Sequence, residues 1–419
     1  SLTKEEVSRY SRQLILPQVG AEGQTQLRKS SVLILGAGGL GCPAAIYLAA
    51  AGVGHLGVVD YDVVELSNLH RQIMHREAGV GTSKAASLAQ AVRSLNSLVR
   101  VTIHDVQLDG SNAMEMVSGY DVVLDCSDNP ATRYLINDAC VLSGRPLISG
   151  SALRWEGQLT VYNYRGGPCY RCLYPTPPNP KFVTNCSDGG VIGAVPGLIG
   201  TLQAMETIKL LLADETSNTG PSFSRRLFVF DGESGMFRTV SLRPKQSDCA
   251  VCASPESRTI SRVEDVDYRL FCGRGPHDKE EGLQVLKMED RVTATEFRDA
   301  VQSLSSQTTT ITRPYLLIDV RPHLETTICR LPDSVNVPFE SLEQRADELK
   351  ELVSQHLPRK ETGQSLLPVY VVCRRGNNSQ LAVERMRTLL PADWPVLIKD
   401  IVGGLQAWAE QVDPLFPTY

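Results

Sequence analysis

The 419-residue chain lacks the marks of several protein classes. It has no unbroken apolar stretch long enough to span a bilayer, so a helical membrane protein is excluded. No charged-then-apolar leader stands at the N-terminus. The chain starts at Ser1 without methionine, as a trimmed chain does, which leaves open a leader removed earlier. Positive charge is not in surplus. Lys and Arg number 42 against 47 Asp and Glu, a net charge of −5, which argues against direct nucleic-acid binding as the main activity. There is no internal repeat and no low-complexity tract. There is no P-loop either, because Gly79 to Lys84 has the wrong spacing for one. The 11 cysteines are an odd count in a long chain without the loop-rich look of a secreted disulfide scaffold. They fit a reducing, cytoplasmic setting with thiols used for metal and catalysis.

What is present is ordinary in bulk, 42% hydrophobic and 21% charged, and long enough for two or more domains. Residues 1–255 read as one α/β unit. Ser31–Leu35 and His55–Asp60 are short apolar strands, Gly41–Ala51 is a helix of small residues, and Tyr120–Asp125 is a later strand. Strand, helix, strand in that order predicts a parallel sheet with right-handed crossovers. Residues 256–290 lose the rhythm and read as a linker. Residues 291–419 form a second α/β unit, with strands at Tyr315–Val320 and Val369–Val372.

The most telling turn of the first unit is Gly36-Ala37-Gly38-Gly39-Leu40-Gly41, placed after a strand and before a helix. Gly36, Gly38 and Gly41 let backbone N–H groups approach a phosphate at a helix N-terminus. Asp60 ends the next strand, where a ribose hydroxyl is commonly held. Nicotinamide and flavin enzymes share that much. The cations Arg12, Arg71 and Lys84 point instead to a triphosphate, whose charge must be offset during phosphoryl or adenylyl transfer. Asp128, in the turn Asp125 to Asn129 after a strand, is suited to Mg²⁺. The plain alternative is a scatter of solvated charges around a dinucleotide fold.

Two Cys-x-x-Cys knuckles, Cys169/Cys172 and Cys249/Cys252, supply the four thiolates of a closed tetrahedral Zn²⁺ shell with a structural role. A single knuckle would also suit a redox pair. Cys186 stands alone in a polar segment ahead of an apolar helix, exposed enough to be a reactive thiol or merely an incidental one. Cys42, Cys126 and Cys140 fall in helix or strand patterns and read as core.

In the second unit, Cys373 ends a strand, and Arg374, Arg375, Gly376, Asn377, Asn378 and Ser379 wrap into the start of a helix. Successive backbone N–H groups in such a loop converge on the sulfur, and the arginines and helix dipole favour an anion there. Cysteine phosphatases use a similar loop but need an arginine six residues after the nucleophile. Ser379 occupies that place, which argues for a persulfide cradle over a phosphatase. The bland reading is a cysteine at a strand end in an inactive domain. Cys329 has no such cradle and reads as structural.

These motifs carry two family resemblances. Tyr10 to Leu14, Gly36–Gly41, Asp60 to Asp62, Leu66 to Gln72, Lys84 and Asp125–Asn129 resemble the ubiquitin-activating-type enzymes of the MoeB/ThiF class. The resemblance covers residues 1–255 and implies a Rossmann-like adenylating domain with a structural zinc. It assigns ATP binding to Arg12, Gly36, Gly38, Gly39, Gly41, Asp60, Asp62, Ser67, Asn68, Leu69, His70, Arg71, Lys84, Asp128 and Asn129, with Arg12 reaching across a homodimer. It also assigns Cys186 a thioester or mixed-disulfide role. Leu317 to Arg321, Cys373 and Ile401 to Trp408 resemble the rhodanese family, with Cys373 as its persulfide cysteine. Asn378 stands where many fused relatives carry Asp.

Joined on one chain, the two resemble the eukaryotic fused adenylyltransferase–sulfurtransferases of the ubiquitin-related modifier and molybdopterin synthase pathway. That implies adenylation of the C-terminal Gly-Gly of a ubiquitin-like sulfur carrier, followed by sulfur transfer from a Cys373 persulfide. A cysteine desulfurase or sulfurtransferase would load that persulfide. The destinations would be tRNA wobble-uridine thiolation, protein conjugation and molybdenum cofactor synthesis. Two alternatives stand: an activating enzyme for conjugation alone, acting through Cys186 with the rhodanese domain as a docking module, and a redox enzyme with a dinucleotide cofactor.

Overall fold

The computed structural model describes residues 1–178, 189–213, 220–273, 283–306, 314–358 and 366–419. They form two compact units, Ser1–Asp278 and Lys279–Tyr419. No described helix is long and apolar enough to cross a membrane.

The first unit is built on an eight-stranded sheet. Its strands are β1 (Ser31–Leu35), β2 (His55–Val59), β3 (Arg100–His104), β4 (Val122–Asp125), β5 (Leu147–Leu153), β6 (Glu156–Tyr162), β7 (Arg226–Asp231) and β8 (Met236–Ser241). The order is β3-β2-β1-β4-β5-β6-β7-β8. The first five are parallel and the last three antiparallel. β1 reads Ser-Val-Leu-Ile-Leu because both its faces are covered. Val32 and Ile34 join a core with Leu48, Leu88 and Ile199, while Leu33 and Leu35 join one with Val123, Tyr134 and Ile136. Alternate side chains of one strand thus anchor the two helical layers. The strand order reverses between β1 and β4, so a crevice opens beyond their C-terminal ends. The glycine-rich turn lies there.

The second unit is a five-stranded, wholly parallel sheet. Its strands are β9 (Arg291–Val292), β10 (Leu316–Asp319), β11 (Val335–Asn336), β12 (Leu367–Val372) and β13 (Val396–Ile401), in the order β11-β10-β12-β13-β9. β12 is central, and Cys373 follows it directly.

The stretch expected to be a linker, residues 256–290, is folded at both ends. Val263, Tyr268 and Cys272 are buried in the first unit against the helix Pro130–Leu142. The backbone N–H groups of Val285 and Leu286 donate to Gln380 Oε1 at 3.0 and 3.3 Å in the second unit. Charged and glycine residues broke the periodicity there, yet a few apolar anchors suffice to dock a segment onto an existing core.

Candidate functional sites

The glycine-rich turn is tightly constrained. Gly36 has φ +100°, a left-handed conformation that glycine adopts without strain. A Cβ on Gly41 would fall 1.8 Å from the Gly36 carbonyl oxygen, so the turn closes only with glycine at that position. Asp60, at the end of β2, accepts hydrogen bonds from the N–H groups of Ala37 at 2.7 Å and Asp62 at 2.9 Å. Burial pushes its carboxyl upward, against the pull of Lys84. Lys84, buried at the first position of the helix Lys84–Leu95, pairs with Asp62 at 3.0 Å.

The Leu66–Asn68 turn brings the remaining polar residues to the same crevice. Asn68 Oδ1 accepts from Arg71 at 2.9 Å, and the Ser67 carbonyl accepts from Arg71 at 3.3 Å and lies 3.0 Å from His70 Nδ1. Leu69 follows directly. Gly39 faces this loop: a Cβ built there would lie 3.1 Å from the Pro196 ring and 3.5 Å from Arg71 Cγ. Asp128 is exposed in the loop after β4, and Asn129 caps the helix Pro130–Leu142 by accepting from Thr132 N–H at 2.8 Å. Arg12 is exposed on the short helix Ser11–Leu14.

Two supports escaped the sequence. His75 is buried beneath the turn, with Nε2 2.8 Å from the Ala37 carbonyl and Nδ1 2.9 Å from Ser87 Oγ. A carbonyl only accepts, so Nε2 carries a proton. Burial holds its pKa below the ordinary value. Burial also pushes the neighbouring Cys42 thiol up to about 12, keeping it protonated. After β4, Asp125 accepts from Ser149 Oγ at 2.8 Å and pairs with Arg133 at 3.1 Å, while Arg133 donates to the Ser127 carbonyl at 3.0 Å. This shapes the loop that presents Asp128.

Cys169, Cys172, Cys249 and Cys252 converge, all buried, with their sulfurs within 4.8 Å of one another. Particular pairs stand 3.8, 3.6 and 3.3 Å apart. Four Zn–S bonds of about 2.3 Å at tetrahedral angles set S···S near ~3.8 Å, so the cluster has the dimensions of a metal shell. Arg171, inside the first knuckle, pairs with buried Asp138 at 2.7 Å. Its guanidinium lies between the rings of Tyr134 and Phe271, 4.9 and 4.7 Å from their centroids. Tyr268 donates to Asp138 at 2.9 Å.

Cys373 is buried at the end of β12. Its sulfur accepts from Gly376 N–H at 3.1 Å and donates to Ser379 Oγ at 3.4 Å. The loop is seated on the start of the helix Gly404–Gln411, where Leu405 N–H donates to the Cys373 carbonyl at 2.9 Å. A Cβ on Gly404, φ +58°, would come within 2.2 Å of that carbonyl oxygen. Gln380 donates to the Gly376 carbonyl at 2.7 Å, and Asn377 accepts from Leu283 N–H at 2.9 Å. Arg374 and Arg375 are partly exposed and Asn378, the first helical residue, is exposed. Arg374 also lies 4.6 Å from the ring centroid of Tyr419, whose hydroxyl accepts from Arg321 at 2.7 Å. Sequence reasoning passed over Tyr419 because it lies 45 residues beyond Arg374. Cys42, Cys126 and Cys140 are buried, and Cys329 is partly exposed. Cys186 lies outside the described residues.

A ThiF family model matches residues 10–251, and a rhodanese-like domain model matches residues 294–411. The "Adenylyltransferase and sulfurtransferase MOCS3" of Danio rerio is 50% identical, with all of this chain aligned to 88% of that protein. The Anopheles gambiae and Mus musculus proteins of the same name are 50% and 49% identical, with all of this chain aligned to 90% and 88% of theirs. The chain belongs to this family. It is therefore an enzyme that couples adenylyl transfer to sulfur transfer, a ThiF adenylating unit followed by a rhodanese unit. The crystal structure of E. coli MccB with ATP shares the fold of the adenylating unit. Its TM-score is 0.51 and its identity 22%, over 60% of this chain and 77% of that one.

Proposed function

We propose that the adenylating unit activates the C-terminal glycine of a ubiquitin-like sulfur carrier and that Cys373 delivers the sulfur. The observation that carries this reading is the pairing, on one chain of this family, of an amide-lined turn ringed by Arg71 and Lys84 with a cysteine set in an anion-accepting loop. ATP would lie over Gly36, Gly38, Gly39 and Gly41, with Asp60 and Asp62 near its ribose. Ser67, Asn68, Leu69, His70 and Asn129 would line the site. Arg12 would be supplied by the second subunit of a homodimer, and with Arg71 and Lys84 would offset phosphate charge. Asp128 would hold Mg²⁺, which screens the phosphates. The four buried thiols would hold structural Zn²⁺.

In this scheme the carrier carboxylate attacks the α-phosphorus, pyrophosphate leaves and an acyl-adenylate forms. A persulfide donor of the cysteine desulfurase or sulfurtransferase class loads Cys373. The terminal sulfur attacks the acyl carbon, AMP leaves and an acyl disulfide joins the carrier to Cys373. Attack by the Cys186 thiolate on the Cys373 sulfur expels the carrier as a thiocarboxylate and leaves a Cys186–Cys373 disulfide, which a cellular thiol reduces. The acyl group passing first to Cys186 as a thioester is the other order. tRNA wobble-uridine thiolation, protein conjugation and molybdenum cofactor synthesis would draw on the product, and the setting would be cytoplasmic.

The test is Cys373→Ala with carrier, ATP and a persulfide donor. Carrier-dependent pyrophosphate exchange should persist, while intact-mass analysis of the carrier should show no exchange of oxygen for sulfur. Full thiocarboxylate yield from this variant would overturn the reading.

A further inference from the structure

Behind the Cys373 sulfur lies a second, largely buried polar chain. The thiol donates to Ser379 Oγ at 3.4 Å, and Ser379 Oγ donates to Asp400 Oδ2 at 3.4 Å. Asp400, near the end of β13, is then gripped by Arg291 of β9, Nε to Oδ1 at 2.8 Å and Nη2 to Oδ2 at 3.0 Å. Ser379 and Asp400 are fully buried, and the Arg291 side chain is only 10% exposed. The carboxylate therefore persists in an apolar sheet because a bidentate guanidinium holds it. None of the sulfur-transfer steps above uses it.

A hydroxyl has one proton and sits here between two partners of different character. Asp400 can only accept while ionised. The sulfur of Cys373 donates when it is a thiol and accepts when it is a thiolate or persulfide anion. We infer that Asp400, clamped by Arg291, is a positioning residue for Cys373, acting through a Ser379 hydroxyl that turns as the sulfur changes charge. With a thiol the hydroxyl faces Asp400 and receives the S–H. With an anionic sulfur it rotates and donates to the sulfur, adding a donor to the Gly376 N–H. The switch moves one hydrogen by rotation about the Ser379 Cβ–Oγ bond. No net proton leaves the chain by this rotation.

The inference rests on Cys373 being the sulfur-carrying thiol. Other charged groups lie on the elements beside it. Arg374 and Arg375 are on its own loop, and Asp319 with Arg321 stands at the end of β10, the neighbour of β12 opposite β13. All remain in place in the variants below, so differences between variants report on the buried chain alone.

The experiment is the pH dependence of Cys373 alkylation by iodoacetamide in the full chain, read by peptide mass. Asp400→Asn removes the acceptor's charge and leaves the Arg291 cation, so the midpoint should fall by about one pH unit. Arg291→Met bares the carboxylate, so the midpoint should rise by about one pH unit, and Arg291→Lys should return it towards the parent value. Ser379→Ala should raise it by about half a unit, and adding Asp400→Asn to that variant should then lower it by less than in the parent. Loss of packing alone would not drive the two partners of one ion pair in opposite directions. If Arg291→Met fails to fold, the Asp400 and Ser379 variants carry the test. Equal midpoints in those variants would overturn the inference, and so would an undiminished Asp400→Asn effect without the hydroxyl. Persulfide loading, read as one added sulfur on the Cys373 peptide of the parent, is measured alongside. Its absence removes Cys373 as carrier, a failure distinct from that of the buried chain.

Discussion

Each unit places a glycine-bearing turn straight after a central parallel strand and just before a helix, yet the two turns are held in different ways. The Gly36–Gly41 turn hangs from side chains that come from elsewhere in the first unit. Asp60 takes the Ala37 N–H, and His75 takes the Ala37 carbonyl. The Cys373 loop rests on backbone, with Leu405 and Gln406 N–H groups bound to the Cys373 and Arg374 carbonyls. In the proposed scheme the first turn receives a large ligand whose own groups complete it. The second closes around an atom the chain already owns. One strand–turn–helix device thus becomes a receptacle in one unit and a holder in the other.

The sharpest way to break the comparison is a matched pair of glycine substitutions. Gly41→Ala puts a methyl group 1.8 Å from the Gly36 carbonyl oxygen, and Gly404→Ala puts one 2.2 Å from the Cys373 carbonyl oxygen. Displacement of a reacting group by an ångström costs about 100-fold in rate. Gly41→Ala should therefore lower carrier-dependent pyrophosphate exchange about 100-fold and leave persulfide loading of Cys373 in place. Gly404→Ala should do the reverse. A variant that lost both activities while keeping its melting temperature would show that the turns are not independent.

Metal removal separates the units by stability. Stripping the four-cysteine cluster with a chelator should lower the melting temperature of the adenylating unit by about 10 °C or more, because ligand binding free energy at such a site is folding free energy. The rhodanese unit, with no share in the cluster, should melt unchanged in calorimetry. An unshifted first transition after complete metal loss would leave the cluster without its structural role.

The smallest effect concerns pH. His75 has a pKa lowered by burial from the ordinary 6.5. As pH falls through 6.5 the unfolded chain takes a proton there before the folded chain does, so the adenylating unit loses stability on the acid side and regains it above. His55 and His104 are lowered by burial too and steepen the same limb. His75→Gln should flatten the acid limb by up to about 1.4 kcal/mol per pH unit in denaturant titrations. An unchanged slope would mean that His75 is protonated beneath the turn.

Much of this was legible in the sequence because the chemistry was local. The glycine spacing of 36–41, the two cysteine knuckles and the loop after Cys373 are contiguous, and their geometry follows from a few adjacent dihedrals. Some element limits came within a residue: the helix Gly41–Ala51 is found as expected, and the strand expected at His55–Asp60 ends at Val59. What stayed hidden was made by topology. Arg291 and Asp400 are 109 residues apart and meet because β9 and β13 are neighbours. Arg171 and Asp138 meet only once a knuckle lies on a helix. The supposed linker was misread for a related reason. Its anchors, Val263, Tyr268 and Leu286, are too sparse to make a period and find their partners far away.

β9, at one edge of the second sheet, has two residues, and one of them is Arg291. The polypeptide thus enters this sheet through the cation that neutralises Asp400. Fraying of that edge would strip the carboxylate of its counter-ion and raise the cost of negative charge on the sulfur. Tension applied to the incoming chain would then register as altered nucleophilicity at Cys373.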